Sequence, residues 1–127
     1  MTVEELYSLT KIEMFEKPSS TIYTDFLIGN VNRVILDLFE ENNMERMFCG
    51  KPPLKEIPLV KNSTDEIQYE TTIANGIMPL GLSAYFFLDD DLNKYSIYIT
   101  DYNNARIKNK KIVPQEVIDG FTTNTEI

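Results

Sequence analysis

Three consecutive aspartates, Asp89 to Asp91, are the side chains in this sequence best suited to chemistry. Clustered carboxylates are typical ligands of calcium and magnesium ions. A calcium-binding loop that began at Asp89 would need glycine at its sixth position and glutamate at its twelfth, but Lys94 and Thr100 stand there. We therefore interpret the aspartates as the N-terminal cap of a helix, and we predict no metal site.

Other side chains with catalytic potential are scarce. The sequence contains no histidine and one cysteine, Cys49, so acid–base catalysis would fall to carboxylates, lysine or tyrosine with shifted pKa values. Gly76 and Gly81 are not followed by the Gly-Lys-Ser or Gly-Lys-Thr of a phosphate-binding loop. We predict that the chain is not an enzyme and binds no cofactor. The alternative is a carboxylate-only or metal-dependent enzyme that uses Asp89 to Asp91.

The charge of the chain narrows its range of partners. The 127 residues carry a net charge of −8, which repels phosphate backbones and anionic lipid head groups. The longest apolar run, residues 76–88, is shorter than the roughly 20 residues that span a bilayer as a helix. We predict no specific binding to nucleic acid and no membrane segment. The lone cysteine and the absence of a signal-peptide pattern predict a protein made in a reducing cytoplasm.

Hydrophobic periodicity predicts a mainly α fold, a compact bundle of about four helices. The first helix covers residues 2–16, with Thr2 and Glu5 spaced as a capping box. The second starts at a Thr24 or Asp25 cap and ends near Asn42 or soon after. The third covers residues 69–88 and bends near residues 75–76 because of Pro79, and a fourth follows the aspartates. The predicted core comprises Ile28, Val31, Ile35, Ile73, Ile77, Leu80, Tyr95 and Ile99.

Two segments lie outside this helical pattern. Residues 50–68 contain three prolines and are predicted to be an extended link, with a short β-hairpin as an option. Residues 112–127 form a predicted extended C-terminal arm beyond the helical domain of residues 1–111. Burying the arm's apolar side chains yields about 1.5–3 kcal/mol each, less in sum than the roughly 10–20 kcal/mol needed to order ten backbone residues. The arm is therefore either disordered or docked on a partner, and we favour a partner-binding arm formed by Ile112, Val113, Pro114, Gln115, Val117, Ile118 and Phe121.

The order of these elements resembles the head-to-tail connector (adaptor) proteins of tailed bacteriophages. The resemblance covers most of residues 2–108. It rests on Asp65-Glu66-Ile67 ahead of an apolar helix, on the run Ile77-Met78-Pro79-Leu80-Gly81-Leu82 leading to Leu88-Asp89-Asp90-Asp91, and on the tyrosine-rich helix that follows.

The resemblance implies a structural virion protein at the head-tail junction, assembled in the host bacterial cytoplasm. It implies a homo-oligomeric ring of about twelve copies beneath the portal protein, in contact with neck or tail-completion proteins, with a lumen through which DNA passes. In such a ring we expect Arg106, Lys108 and Lys110 to form charge pairs between subunits. Another phage neck or tail-completion protein, or a small helical regulatory protein-binding module, is the alternative.

Overall fold

The computed structural model describes residues 1–110, and the predicted arm of residues 112–127 lies outside them. The fold of the described part is mainly helical, which confirms the predicted class. Its elements in chain order are α1 (Val3–Glu13), a 3₁₀ turn (Thr24–Phe26), α2 (Leu27–Phe48), α3 (Thr71–Gly76), α4 (Met78–Phe87) and α5 (Leu92–Lys108).

Helix α1 begins at the predicted capping box. The Thr2 hydroxyl accepts a hydrogen bond from the backbone N–H of Glu5 (3.2 Å), and the Glu5 carboxylate accepts one from the N–H of Thr2 (2.7 Å). The helix ends at Glu13 rather than at residue 16, because Phe15 adopts a left-handed backbone conformation (φ 60°). A left-handed residue stops the helical path, and the chain turns there.

The start and end of α2 differ from the prediction. Neither Thr24 nor Asp25 caps the helix, because a 3₁₀ turn occupies residues 24–26 and Phe26 takes the cap position without a side-chain hydrogen bond. The N–H of Phe26 donates instead to the Tyr23 carbonyl (3.0 Å). The helix also continues to Phe48, since residues 44–47 are good helix formers, and the chain then reaches Gly50 with a positive φ of 81°.

The predicted third helix is divided into α3 and α4 at Ile77, whose dihedrals (φ −120°, ψ −44°) are not helical. Pro79 then lies in the first turn of α4, where its missing N–H costs no helical hydrogen bond. The bend expected at Asn75 and Gly76 is therefore a break one residue later. Helix α4 is buried on nearly all sides and packs against α1, α2, α3 and α5, so it forms the centre of the bundle.

Gly81 permits a close contact between α4 and α5. A Cβ atom at this position would lie 2.6 Å from a ring carbon of Tyr102 on α5, so only glycine fits without a shift of the ring. Gly76, by contrast, is exposed and has open space around it, so it permits no such contact. The close approach of α4 and α5 thus depends on one glycine.

The link between α2 and α3 contains no strand, and the optional hairpin does not form within residues 50–68. Two asparagines of α2 hold its middle, and an isolated antiparallel bridge between Thr2 and Glu66 holds its end. The side-chain amide of Asn32 donates to the Val60 carbonyl (2.9 Å) and accepts from its N–H (2.8 Å), and Asn43 does the same with Leu54 (3.2 and 2.8 Å). These paired bonds satisfy the backbone N–H and C=O groups of Leu54 and Val60, as a neighbouring strand would have done.

All eight predicted core residues belong to the core or its edge. Val31, Ile35, Ile73 and Ile77 are buried, whereas Ile28, Leu80, Tyr95 and Ile99 are partly buried and pack against the buried cluster.

Candidate functional site

Two of the three consecutive aspartates make hydrogen bonds at or just before the start of α5. Asp91 is the N-cap residue, and its carboxylate accepts a hydrogen bond from the Lys94 N–H (3.2 Å). Asp90 accepts a hydrogen bond from the Tyr23 hydroxyl. Capping was the predicted role and is confirmed for Asp91. Within residues 1–110, no three His, Cys, Asp or Glu side chains come together in a group that could hold a metal ion.

A second carboxylate, that of Asp37 on α2, organises a polar cluster beside α4. It accepts hydrogen bonds from the hydroxyls of Tyr85 and Tyr102, the latter at 3.0 Å. Burial, followed by the hydrogen bond to Asp37 and the negative charge of that residue, raises the pKa of Tyr85 to about 12. Burial and Asp37 also raise the pKa of Tyr102. Both hydroxyls therefore stay protonated at neutral pH, as donors that tie α2 to α4 and α5.

Two basic residues join this cluster: Arg33, whose guanidinium lies 4.1 Å from the centre of the Tyr85 ring, and Arg106. The Nε of Arg106 donates to the Glu41 carboxylate (2.6 Å), and a terminal nitrogen donates to the Asp37 carbonyl (3.2 Å). Burial alone would lower the pKa of Arg106, but its hydrogen bond to Glu41 keeps that pKa above its ordinary value. Arg106 thus has a partner in its own chain. An ion pair between subunits stays a prediction for the exposed Lys108 and Lys110.

An open groove of about 530 Å³ lies between the C-terminal half of α2 and the last turns of α5. We call it the α2–α5 groove. Its apolar part is formed by Met44 and by Ile107, whose side chain is 68% exposed. The remaining lining residues are polar or charged: Glu40, Glu41, Asn103, Arg106, Asn109 and Lys110. Grooves of roughly 300–1,000 Å³ are large enough to hold a small ligand or the side chain of a partner.

Large hydrophobic side chains are also exposed on other parts of the described surface. The most exposed is Phe15, at 92%, directly after α1, and Ile12, one turn earlier, is 68% exposed. We call these two residues the Phe15 corner. The other exposed large hydrophobic residues are Ile22, Phe26, Leu36, Met47, Phe48, Ile57, Leu59, Leu92, Ile97 and Ile107. None of the helices within residues 1–110 has the length and apolar character needed to cross a bilayer.

The backbone at the Phe15 corner forms a Schellman motif. The N–H of Phe15 donates to the Ile12 carbonyl (3.1 Å), and the N–H of Glu16 donates to the Lys11 carbonyl (2.8 Å). Glycine usually occupies the left-handed position of this motif, because a Cβ atom is unfavourable there. Sequence reasoning missed Phe15, since the only available signal was an aromatic residue at the end of a helical pattern.

Some of the predicted site residues lie outside the described part of the chain, and others lie at or near the α2–α5 groove. The arm residues 112–121 lie outside the described part of the chain, and the structure places Arg106 and Lys110 together at the α2–α5 groove, with Lys108 exposed on the same last turn of α5. In comparisons with protein families, curated proteins and solved structures, no family, protein or structure matched the chain. Any function must therefore be argued from the residues and their geometry.

Proposed function

We propose that the chain is a head-to-tail connector of a tailed bacteriophage, an adaptor that forms a ring between the capsid portal and the neck or tail. The observation that carries this proposal is the combination of a small, closely packed helical body with many large hydrophobic side chains on its surface. Exposed apolar side chains next to polar ones are typical of surfaces that bind other proteins. A structural role explains them without any catalytic group.

The distribution of charge supports the same proposal. Residues 1–103 hold eight basic and seventeen acidic residues, a net charge of −9, whereas residues 104–127 carry +1. An acidic body disfavours the counterion-releasing contacts that hold DNA, so DNA could pass through a ring of such subunits without being retained. In this proposal the protein is a virion component at the head-tail junction and performs no chemical reaction.

Attachment to the portal is assigned to the arm. Val117, Ile118 and Phe121 supply its apolar surface, and we expect them to gain order only against a partner. The test replaces these three residues by serine in the full-length chain, with Gln115→Ser as the matched control. Rings of the triple variant should still form, but their affinity for portal particles should fall about tenfold or more, because apolar anchors dominate such contacts.

Electron microscopy of the purified protein, with and without portal particles, provides the readout. Rings of the wild-type chain and of Gln115→Ser that bind the portal, together with triple-variant rings that do not, would support the proposal. A wild-type chain that never forms rings and never binds a portal would refute it. Dimers that bind a different neck component would instead favour the tail-completion alternative.

A further inference from the structure

Two properties of Phe15 are unfavourable for its own chain. Its backbone is left-handed, at a position where glycine is preferred, and its ring is almost completely exposed. Tyr23 has nearly the same φ (64°), but its ring stacks on Phe86 at 5.0 Å and its hydroxyl donates to Asp90. Interactions therefore compensate the strained backbone at Tyr23. The combination at Phe15 is typical of residues that act on a partner.

The surroundings of Phe15 are mainly acidic. Glu13 and Glu16 flank it in sequence, and the Tyr98 hydroxyl donates to the Glu13 carbonyl, which places the first half of α5 beside this corner. Burial raises the pKa of Tyr23, and Glu16 and the α5 cap aspartates raise it further, so these carboxylates act on the same small region. The exposed Lys17 and Lys94, together with Lys11, whose Nζ donates to the carbonyls of Pro18 and Ser20, offset them only in part. A partner for Phe15 should therefore offer an apolar pocket with bases at its rim.

The α2–α5 groove has this character. Met44 and Ile107 give it an apolar part, Lys110 stands at its rim, and Lys108 belongs to the same last turn of α5. Arg106 and Glu41 in its wall neutralise each other. Of the other charged residues that line the groove, Glu40 opposes Lys110, so the groove is neutral overall, in contrast to the acidic Phe15 corner.

The groove cannot receive the Phe15 of its own chain. Tyr98 marks the level of the Phe15 corner along α5, and Arg106 marks the level of the groove. Eight residues separate them, about 12 Å along a rigid helix. A contact between the two must therefore join different copies, and each copy would use one surface as donor and the other as acceptor.

We propose that Phe15 of one copy inserts into the α2–α5 groove of the next copy. Because the two surfaces differ, the contact is heterologous, and its repetition generates a closed ring when the rotation between copies permits closure. The inference rests on the ring of the proposed function and names the residues by which that ring is built. It does not involve the C-terminal arm or the portal.

The first experiment measures self-association of the full-length protein by sedimentation and mass photometry. Phe15→Gly removes the ring while keeping a residue that suits the left-handed backbone, so the variant should fold. Ile107→Glu places an acid in the groove at an exposed position. Each change should weaken self-association about 10- to 100-fold. The control is Leu59→Glu, with the same added charge at a side chain of similar exposure (54%), and it should assemble like the wild type.

The second experiment tests the pairing directly. In a Cys49→Ser background, the double variant Phe15→Cys, Ile107→Cys should form disulfide-linked ladders of copies on oxidation, whereas either single variant should not. Ladders of the double variant would support the head-to-tail contact. Efficient dimers of Phe15→Cys alone would overturn it, because they would show that the two Phe15 corners face each other in a symmetric contact.

The outcomes separate this inference from the proposed function. Wild-type assembly that persists unchanged in Phe15→Gly and Ile107→Glu overturns the inference, although portal binding by those rings would leave the connector proposal standing. Assembly that depends on both residues, in rings that never bind a portal, supports the inference and counts against the connector. A wild-type chain that stays monomeric at every concentration overturns the contact itself.

Discussion

The α4–α5 interface and the turn that follows α1 both contain aromatic residues, but the two regions differ in how far the rings are buried. At the interface, Tyr102 is fully buried, its ring lies against Gly81, and its hydroxyl donates to Asp37. In the turn, the backbone is left-handed at both Phe15 and Tyr23. Tyr23 is held by Phe86 and Asp90, whereas the ring of Phe15 projects into solvent.

The difference shows which aromatic residues serve the fold. A ring that stabilises the monomer removes apolar surface from water and satisfies its polar atom, as Tyr102 and Tyr23 do. Phe15 gives its own chain neither benefit and adds an unfavourable backbone conformation. Its contribution is therefore expected outside the monomer, and substitutions at the two regions should affect stability with different magnitudes and different signs.

Tyr102→Ala should have the largest effect, lowering the free energy of unfolding by about 3–5 kcal/mol, because it leaves a cavity where a large, fully buried ring had been. Gly81→Ala should cost about 1–3 kcal/mol by overpacking against the ring. Urea unfolding followed by circular dichroism measures both values. At Gly76, which has open space around it, the same change to alanine should not lower the free energy of unfolding.

The combination of the two core variants sharpens this prediction. Once Tyr102 is alanine, the added methyl group at position 81 meets no ring, and the better helix propensity of alanine should stabilise α4 by about 0.5–1 kcal/mol. The effect of Gly81→Ala should thus change sign between the two backgrounds. An unchanged cost in both would mean that the helix contact does not depend on the ring.

The sequence was sufficient for contacts that depend on local pattern. Apolar spacing placed Val31 and Ile35 on the buried face of α2, and the separation of Thr2 and Glu5 predicted the capping box. Asp91 as the cap of α5 was predicted in the same way. Each of these features involves residues close in the chain, whose geometry is set by the helix itself.

Contacts between distant polar groups could not be predicted in this way. Asn32 and Asn43 lie in a helical pattern and look like surface residues, yet their amides bind the link at Val60 and Leu54. Whether these asparagines face solvent or bind the link depends on the path of the link, and the local sequence does not determine that path. The groove likewise depends on how α2 and α5, which are distant in the chain, are placed relative to each other. Phe15 was missed for the same reason, since its exposure depends on what the rest of the chain leaves uncovered.

At Tyr23, Tyr23→Ala should lower the free energy of unfolding by about 1–3 kcal/mol, because it removes the stack on Phe86 and the hydrogen bond to Asp90. Tyr23→Phe keeps the ring and should lose only the hydroxyl part of that value. Thermal and urea unfolding of both variants separates the two contributions. If Tyr23→Ala were neutral, the two aromatic residues of this turn would be equivalent, and the comparison with Phe15 would fail.

At Phe15, replacement by glycine should change the free energy of unfolding in the opposite direction from Tyr23→Ala. Phe15→Gly should raise the free energy of unfolding by about 0.5–1 kcal/mol, since relief of a left-handed Cβ, worth about 1–2 kcal/mol, exceeds the added chain entropy of glycine in the unfolded state. Phe15→Ala removes the ring but keeps the strained backbone, so it should give no such gain. Urea unfolding of dilute protein, at concentrations where copies do not associate, isolates this effect. If both variants were destabilised alike, the ring would be stabilising its own monomer, and Phe15 would serve the fold as Tyr23 does.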